Sequence, residues 1–340
     1  MGRGVAIGVL AIGVLAIAIA GPAASKAAAG NRSTANPAFS PEIRTILQTH
    51  CTICHSPGGP SPMPLMSYDD VLPWARAIRE QTLTRRMPKW HAARGYGAFA
   101  NDPTLAPYEL SLITAWVDAG SPPGPEETAR HAPKRARPGL AIDASAESAT
   151  IRTRSGWITG WDFTPGDPLI TSATFTSSDG VAIGTWVAGD RTVRLPRGSA
   201  IRVVPPLRVQ IRRREKTAYE AAFTPLKSMV RLTWMPTTPR QAHPVPLLRV
   251  WTERVACGGA LGPAESSLLA IRPLLEPGAA AQITLERLGG AQPALLGWFR
   301  DFDPGYARIY WLRQPLDFAA GARISSDARC ELDVILSARR

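Results

Sequence analysis

The run Cys51-Thr52-Ile53-Cys54-His55 constrains this chain more than any other feature. Two thiols three positions apart followed at once by an imidazole form the attachment pattern of haem c. The thiols are spaced to add to two vinyl groups, and the imidazole stands next to them to coordinate iron. A stray redox or zinc CxxC is the competing reading, and no second Cys or His pair stands at zinc spacing.

Thioether attachment needs reduced cysteines outside the cytoplasm, and the N-terminus supports export. After a single Arg3, residues Val5 to Ala20 are apolar and uncharged, followed by Gly21, Pro22 and a string of Ala and Ser. This is the layout of a signal peptide over residues 1–28, with the cut between Ala24 and Gly30. The run is short for a membrane span, and a retained N-terminal anchor is the alternative. The predicted location is periplasmic or otherwise exported. In that oxidising setting the remaining cysteines, Cys257 and Cys330, read as a disulfide.

The second axial position has several candidates: Met63, Met66, Met87, His91 and His50. Met87 is preferred because Met87-Pro88 lies a full helix past the attachment site, where the chain can return to the other haem face. Met63 and Met66 read as packing, and His50 directly precedes Cys51.

The texture of the chain changes along its 340 residues. Pro41 to Gln48 reads as a helix with Ile43, Ile46 and Leu47 on one face. Ser67 and Asp70 form a capping-box-like pair ahead of a helical stretch through Ala75, Ile78 and Leu83. Pro107 to Ala119 is a third amphipathic helix, with Leu110, Ile113, Trp116 and Val117 on one side and Gly120 as its stop. From Ile151 onward short β-rich runs alternate with turn signals, including Leu169–Phe175, Val181–Val187, Ile201–Val204, Val209–Ile211 and Leu247–Trp251. The predicted fold is multidomain: an all-α cytochrome c domain at 39–124, a linker at 125–150, and an all-β module of two jelly-roll-like sandwiches at 151–245 and 246–340. Trp157, Trp161, Trp186, Trp298 and Trp311 read as β-core aromatics, and the Arg212 to Arg214 run as a solvated edge.

The net charge of +12 sits in the second half. Residues 39–124 carry seven basic and seven acidic side chains, whereas 151–340 carry 25 basic and 16 acidic. Aromatic and basic residues do not interleave, so no nucleic-acid partner is expected, and a redox partner protein is. No P-loop, GxSxG elbow or dinucleotide fingerprint is present.

The runs IRTILQTHCTICHSPGG, PMPLMSYDDVLPWARAIREQTLTRRMPKWHA and ITAWVDAG, between Phe39 and Gly120, resemble the cytochrome c domain of a family of exported bacterial proteins. In that family the Met of the RRMP run is the distal ligand, which implies Met87 here. In relatives of this kind a copper type II, ascorbate-dependent monooxygenase-like module follows, similar to peptidylglycine α-hydroxylating monooxygenase. Framework traces of it occur in PGDPLITSATF, GTWVAGD, LPRGSAIRV and LLGWFRDFDPGYARIYWLRQPLDFAAGARI.

The family's copper chemistry does not carry over. Where the resemblance places an adjacent His pair this chain has Thr171 and Ser172 after Pro168; where it places His before an aromatic stand Arg212 and Arg213; near Pro273 stand Leu274, Leu275 and Glu276. After Ile151 the only imidazole is His243 and the only thioethers are Met229 and Met235. Two copper centres need more ligands than that. The function implied is electron transfer through one covalent haem c, with no copper and a β module for docking. A haem-fed monooxygenase with an atypical metal site is the alternative.

Overall fold

The computed structural model describes residues 1–2, 38–57, 59–61, 63–124, 139–143, 145–215, 226–235, 248–262, 265–287 and 292–338. The signal-peptide stretch from residue 3 and His243 lie outside them. The described residues from 38 to 338 form one unit.

Four α-helices form early in the chain: α1 (Pro41–His50), α2 (Tyr68–Val71), α3 (Ala75–Leu83) and α4 (Pro107–Asp118), with a 3-10 turn at Leu72–Trp74. Their ends follow local chemistry. Ser40 caps α1, its hydroxyl accepting from the Ile43 N–H at 3.3 Å, and Pro41 occupies the first turn, where no amide donor is needed. Ser67 and Asp70 cap α2 reciprocally, at 3.1 and 3.0 Å. Helix α4 ends at Gly120, whose φ of +85° an L side chain rarely adopts. The inward faces meet in a small core of Ile43, Leu47, Ile78, Ile113 and Trp116 with Phe39.

The rest is β: β1 (Leu140–Ile142), β2 (Ser148–Ile151), β3 (Gly156–Thr164), β4 (Ile170–Thr176), β5 (Ala182–Val187), β6 (Val193–Arg194), β7 (Ser199–Val203), β8 (Leu207–Arg213), β9 (Ser228–Trp234), β10 (Leu248–Ala256), β11 (Ser266–Leu274), β12 (Ala281–Glu286), β13 (Ala294–Phe299), β14 (Tyr310–Phe318), β15 (Arg323–Ser326) and β16 (Glu331–Ala338). β1 and β2 begin inside the stretch read as a linker. Alternation decides which face each strand buries. In β8, Leu207, Val209 and Ile211 point into the core while Arg208, Gln210 and Arg212 point out.

The expected architecture, an all-α domain followed by two jelly-roll-like sandwiches, is overturned. Strand accounts for 40% of the structure and helix for 16%, so the chain is a β-sandwich-rich protein carrying a few short helices. Two physical reasons account for the difference. The first is that the segment after α3 does not close a helical domain. It runs extended, bridging Ala92 to Phe299 and Phe99 to Leu312, and delivers Trp90, Ala92 and Phe99 to a core that also holds Phe299, Phe302 and Tyr310. Aromatic area of that kind is worth more buried in an existing core than against a few short helices.

The second is that the sheets do not divide into two sandwiches. One nine-stranded sheet runs β1-β9-β3-β7-β10-β16-β11-β14, with β6 off β3, and the parallel pairing of β7 with β10 (Ser199 with Leu248) carries it across. The core around Trp161 and Phe175 likewise includes Val250, Leu269 and Ile335. Smaller sheets, β13-β12-β15 and β2-β8-β4-β5, complete the layers. Of the five tryptophans expected in the β core, Trp161 and Trp186 are buried and Trp157, Trp298 and Trp311 are half-buried. Arg213 is no solvated residue: its Nε donates to Asp167 Oδ2 at 3.1 Å. Cys257 and Cys330 stand at disulfide distance, with Cα atoms 5.3 Å apart. No described helix is long and apolar enough to cross a membrane.

Candidate haem-binding site

The last turn of α1 delivers the CTICH run. The Cys51 amide donates to Leu47 O at 2.8 Å, closing the helix, and the amides of Cys54 and His55 both donate to Cys51 O, at 3.1 and 2.9 Å. The chain therefore winds one further turn through the motif, keeping both thiols and the imidazole on a continuous scaffold. It then reverses tightly: Ser61 N donates to Cys54 O, and a Cβ on Gly59 would come within 2.3 Å of that same oxygen. A glycine is required there by close approach.

His55 Nδ1 lies 3.1 Å from Met63 O. A carbonyl oxygen only accepts, so Nδ1 carries the proton and Nε2 keeps its lone pair. This is the arrangement that fixes tautomer and ring orientation in a metal-ligating histidine. Burial pushes the His55 pKa down, opposed by the Met63 bond, which favours the neutral ring that can bind a metal. Burial pushes the Cys51 thiol up to about 12, with Cys54 adding to the effect. Cys54 is raised first by burial, lowered by Arg308 and raised by Asp190. Two neutral thiols beside one neutral imidazole make the donor set that a covalently attached haem would use at Cys51, Cys54 and His55.

The distal candidates separate on geometry. His91 is buried, 7% exposed, and uses both ring nitrogens: Nε2 accepts from Asp303 N at 3.2 Å and Nδ1 meets Tyr310 Oη at 3.3 Å. His50 Nδ1 donates to Pro103 O at 2.8 Å and its Nε2 faces Glu109 Oε1 at 3.2 Å. Neither imidazole has a nitrogen free for iron. Met63 packs on the helical core, and its carbonyl serves His55. Met66 is half-buried, with its amide bonded to Asp70. Met87 is 37% exposed and lines a groove of about 700 Å³ together with Thr82, Trp90, Leu105, Leu110 and Trp298. Cys51, Cys54 and His55 do not line that groove, so the structure does not bring Met87 and His55 into one cavity.

A second set of residues at the site was not legible in the motif. The turn after β5, Ala188 to Arg191, lies against it. A Cβ on Gly189 would sit 2.8 Å from Cys54 Sγ and 2.9 Å from Arg308 Nη2, and the Arg191 guanidinium donates to Thr49 O. Arg308 Nη1 pairs with Asp190 Oδ1 at 2.7 Å, and Nη2 donates to Ala188 O. Asp190 and Arg308 lie in the runs GTWVAGD and LLGWFRDFDPGYARIYWLRQPLDFAAGARI, which the sequence offered only as framework traces of the resemblance.

The positions that the resemblance assigns to copper are sheet residues. The Thr171 hydroxyl donates to Arg212 O, Ser172 pairs with both Val187 and Arg212, and Leu274 ends β11 opposite Glu331. Among the described residues no group of three or more His, Cys, Asp or Glu side chains is placed to hold a metal ion. No protein-family model matches the chain, and no curated protein matches it. The resemblance therefore rests on the residue runs themselves.

Proposed function

We propose that this chain is an exported electron carrier of the c-type cytochrome kind, in which Cys51 and Cys54 would hold one haem covalently and His55 would bind its iron; Met87 is the second ligand that the resemblance implies, although here it lines a groove that His55 does not share. The observation that carries the reading is the His55 Nδ1 to Met63 O bond at 3.1 Å, which leaves Nε2 without a hydrogen-bond partner among the described residues, on a half-buried imidazole directly after a CxxC pair. When bound, the group supplies a one-electron couple at iron. Cys51 and Cys54 would each hold the group through a thioether. His55 holds its lone pair at Nε2, and a Met87 thioether, were it to reach the iron, would favour the reduced state.

The β sheets on this reading are a copper-free docking and positioning module, with a redox protein as partner, and export is required by the attachment chemistry and by the Cys257 and Cys330 pair. Expression with the haem-attachment machinery tests the assignment. The expected product has one haem per chain that survives acid-acetone extraction, and it is lost in the Cys51→Ala/Cys54→Ala variant. Haem that extracts freely, or attachment that persists in that variant, would refute it.

A further inference from the structure

We propose that Arg308 and Asp190, both supplied by the β part of the chain, are positioning residues for the haem site and set the reduction potential of the iron through their opposite charges. The inference rests on the covalent-haem reading above. Three features on different segments place the pair. The turn carrying Asp190 is fixed to α1 by the Arg191 bond to Thr49 O, two residues before Cys51. Gly189, at φ +88°, lies against both the Cys54 sulfur and the Arg308 guanidinium, which an added Cβ would meet at 2.8 and 2.9 Å. Arg308, only 5% exposed, then closes the triangle through Asp190 at 2.7 Å and Ala188 O.

The pair is also oddly costly for a purely structural device. Its Asp190 carboxylate is held in place by the Val187 amide at 2.8 Å, but the buried Nε of Arg308 has no hydrogen-bond partner among the described residues. A buried ion pair contributes little net stability, and an unmet N–H subtracts from it. What such a pair does well is hold two opposite charges at fixed positions in a medium of low dielectric, where their fields reach a neighbouring redox centre unscreened. Oxidised iron carries one more positive charge than reduced iron. The guanidinium beside Cys54 therefore favours the reduced state and raises the potential, and the carboxylate opposes it.

The test is redox titration of the haem-loaded full chain, with covalent haem content and the reduced absorption spectrum recorded on every variant. Arg308→Gln is expected to shift the midpoint potential down, Asp190→Asn to shift it up, and the double variant to return near the parent, all with one haem per chain and an unchanged spectrum. Opposite signs cannot come from loosened packing, which would move both singles the same way. Should Arg308→Gln fail to fold, Asp190→Asn and the double variant still decide the matter: an upward shift that the second substitution cancels supports the assignment. Potentials that stay put, or singles that move together, in haem-bearing protein overturn this inference alone. A parent chain that takes up no covalent haem overturns the reading beneath it as well.

Discussion

Lowering the pH from 7 to 4 should loosen the hold of the β core on the segment that follows α3, and His91 sets the size of the effect. Burial pushes the His91 pKa down to about 4 from an ordinary 6.5; Asp303 and Asp301 pull it up, and Arg308 and Lys89 push it further down. The neutral ring accepts the Asp303 amide at Nε2, and a proton there would break that bond and leave a charge against Phe302 and Tyr310. The unfolded chain binds its proton near pH 6.5 and the native chain only near 4. The stabilisation is therefore complete above 6.5, falls by roughly 1.4 kcal/mol per pH unit through the window between, and is gone below about 4. The total is about 3 kcal/mol, an appreciable fraction of the stability of a typical domain. Urea denaturation of the parent and of His91→Gln, which cannot titrate, should give stabilities that converge as pH falls across that window, the parent losing about 3 kcal/mol more. Parallel curves would refute the buried neutral His91.

Three further outcomes follow from the same contacts. Cys257→Ser should lower the thermal midpoint and leave the haem spectrum unchanged: the pair spans a sequence separation of 73, for which loop-closure entropy gives about 4 kcal/mol, and a changed spectrum would show that the β layers and the haem are coupled at that site. Met87→Ala should abolish the thioether-to-iron absorption of the oxidised protein and lower its potential, with Met63→Ala leaving that absorption in place; the reverse pattern would move the distal ligand to Met63. Gly189→Ala should reduce covalent haem per chain, since the new methyl meets Cys54 Sγ at 2.8 Å and the φ of +88° is strained for alanine; full occupancy would mean the turn gives way easily.

What could be read from the sequence was local. The helix faces of Ile43, Ile46 and Leu47 and of Ile113, Trp116 and Val117 are buried as their spacing requires, and Ser67 with Asp70 caps α2. The β runs fall within a few residues of β4, β5, β7, β8 and β10. Fold class failed where the deciding contacts are distant in sequence. Nothing periodic in residues 85–104 announces that Ala92 will pair with Phe299, and no local signal pairs Ser199 with Leu248. At the site, the CTICH run was legible as a motif because its members are neighbours in the chain, and the structure winds them through one turn after α1. Arg308 and Asp190 were not legible: they stand 118 positions apart, and each alone is an ordinary charge outside the strands.

The covalent haem is the claim on which the rest depends, and haem and metal content measured together on the exported full chain tests it most directly. A pyridine haemochrome assay with elemental analysis should return one haem iron per chain and no stoichiometric copper. One or two coppers per chain, or iron without covalent haem, would contradict the electron-carrier reading.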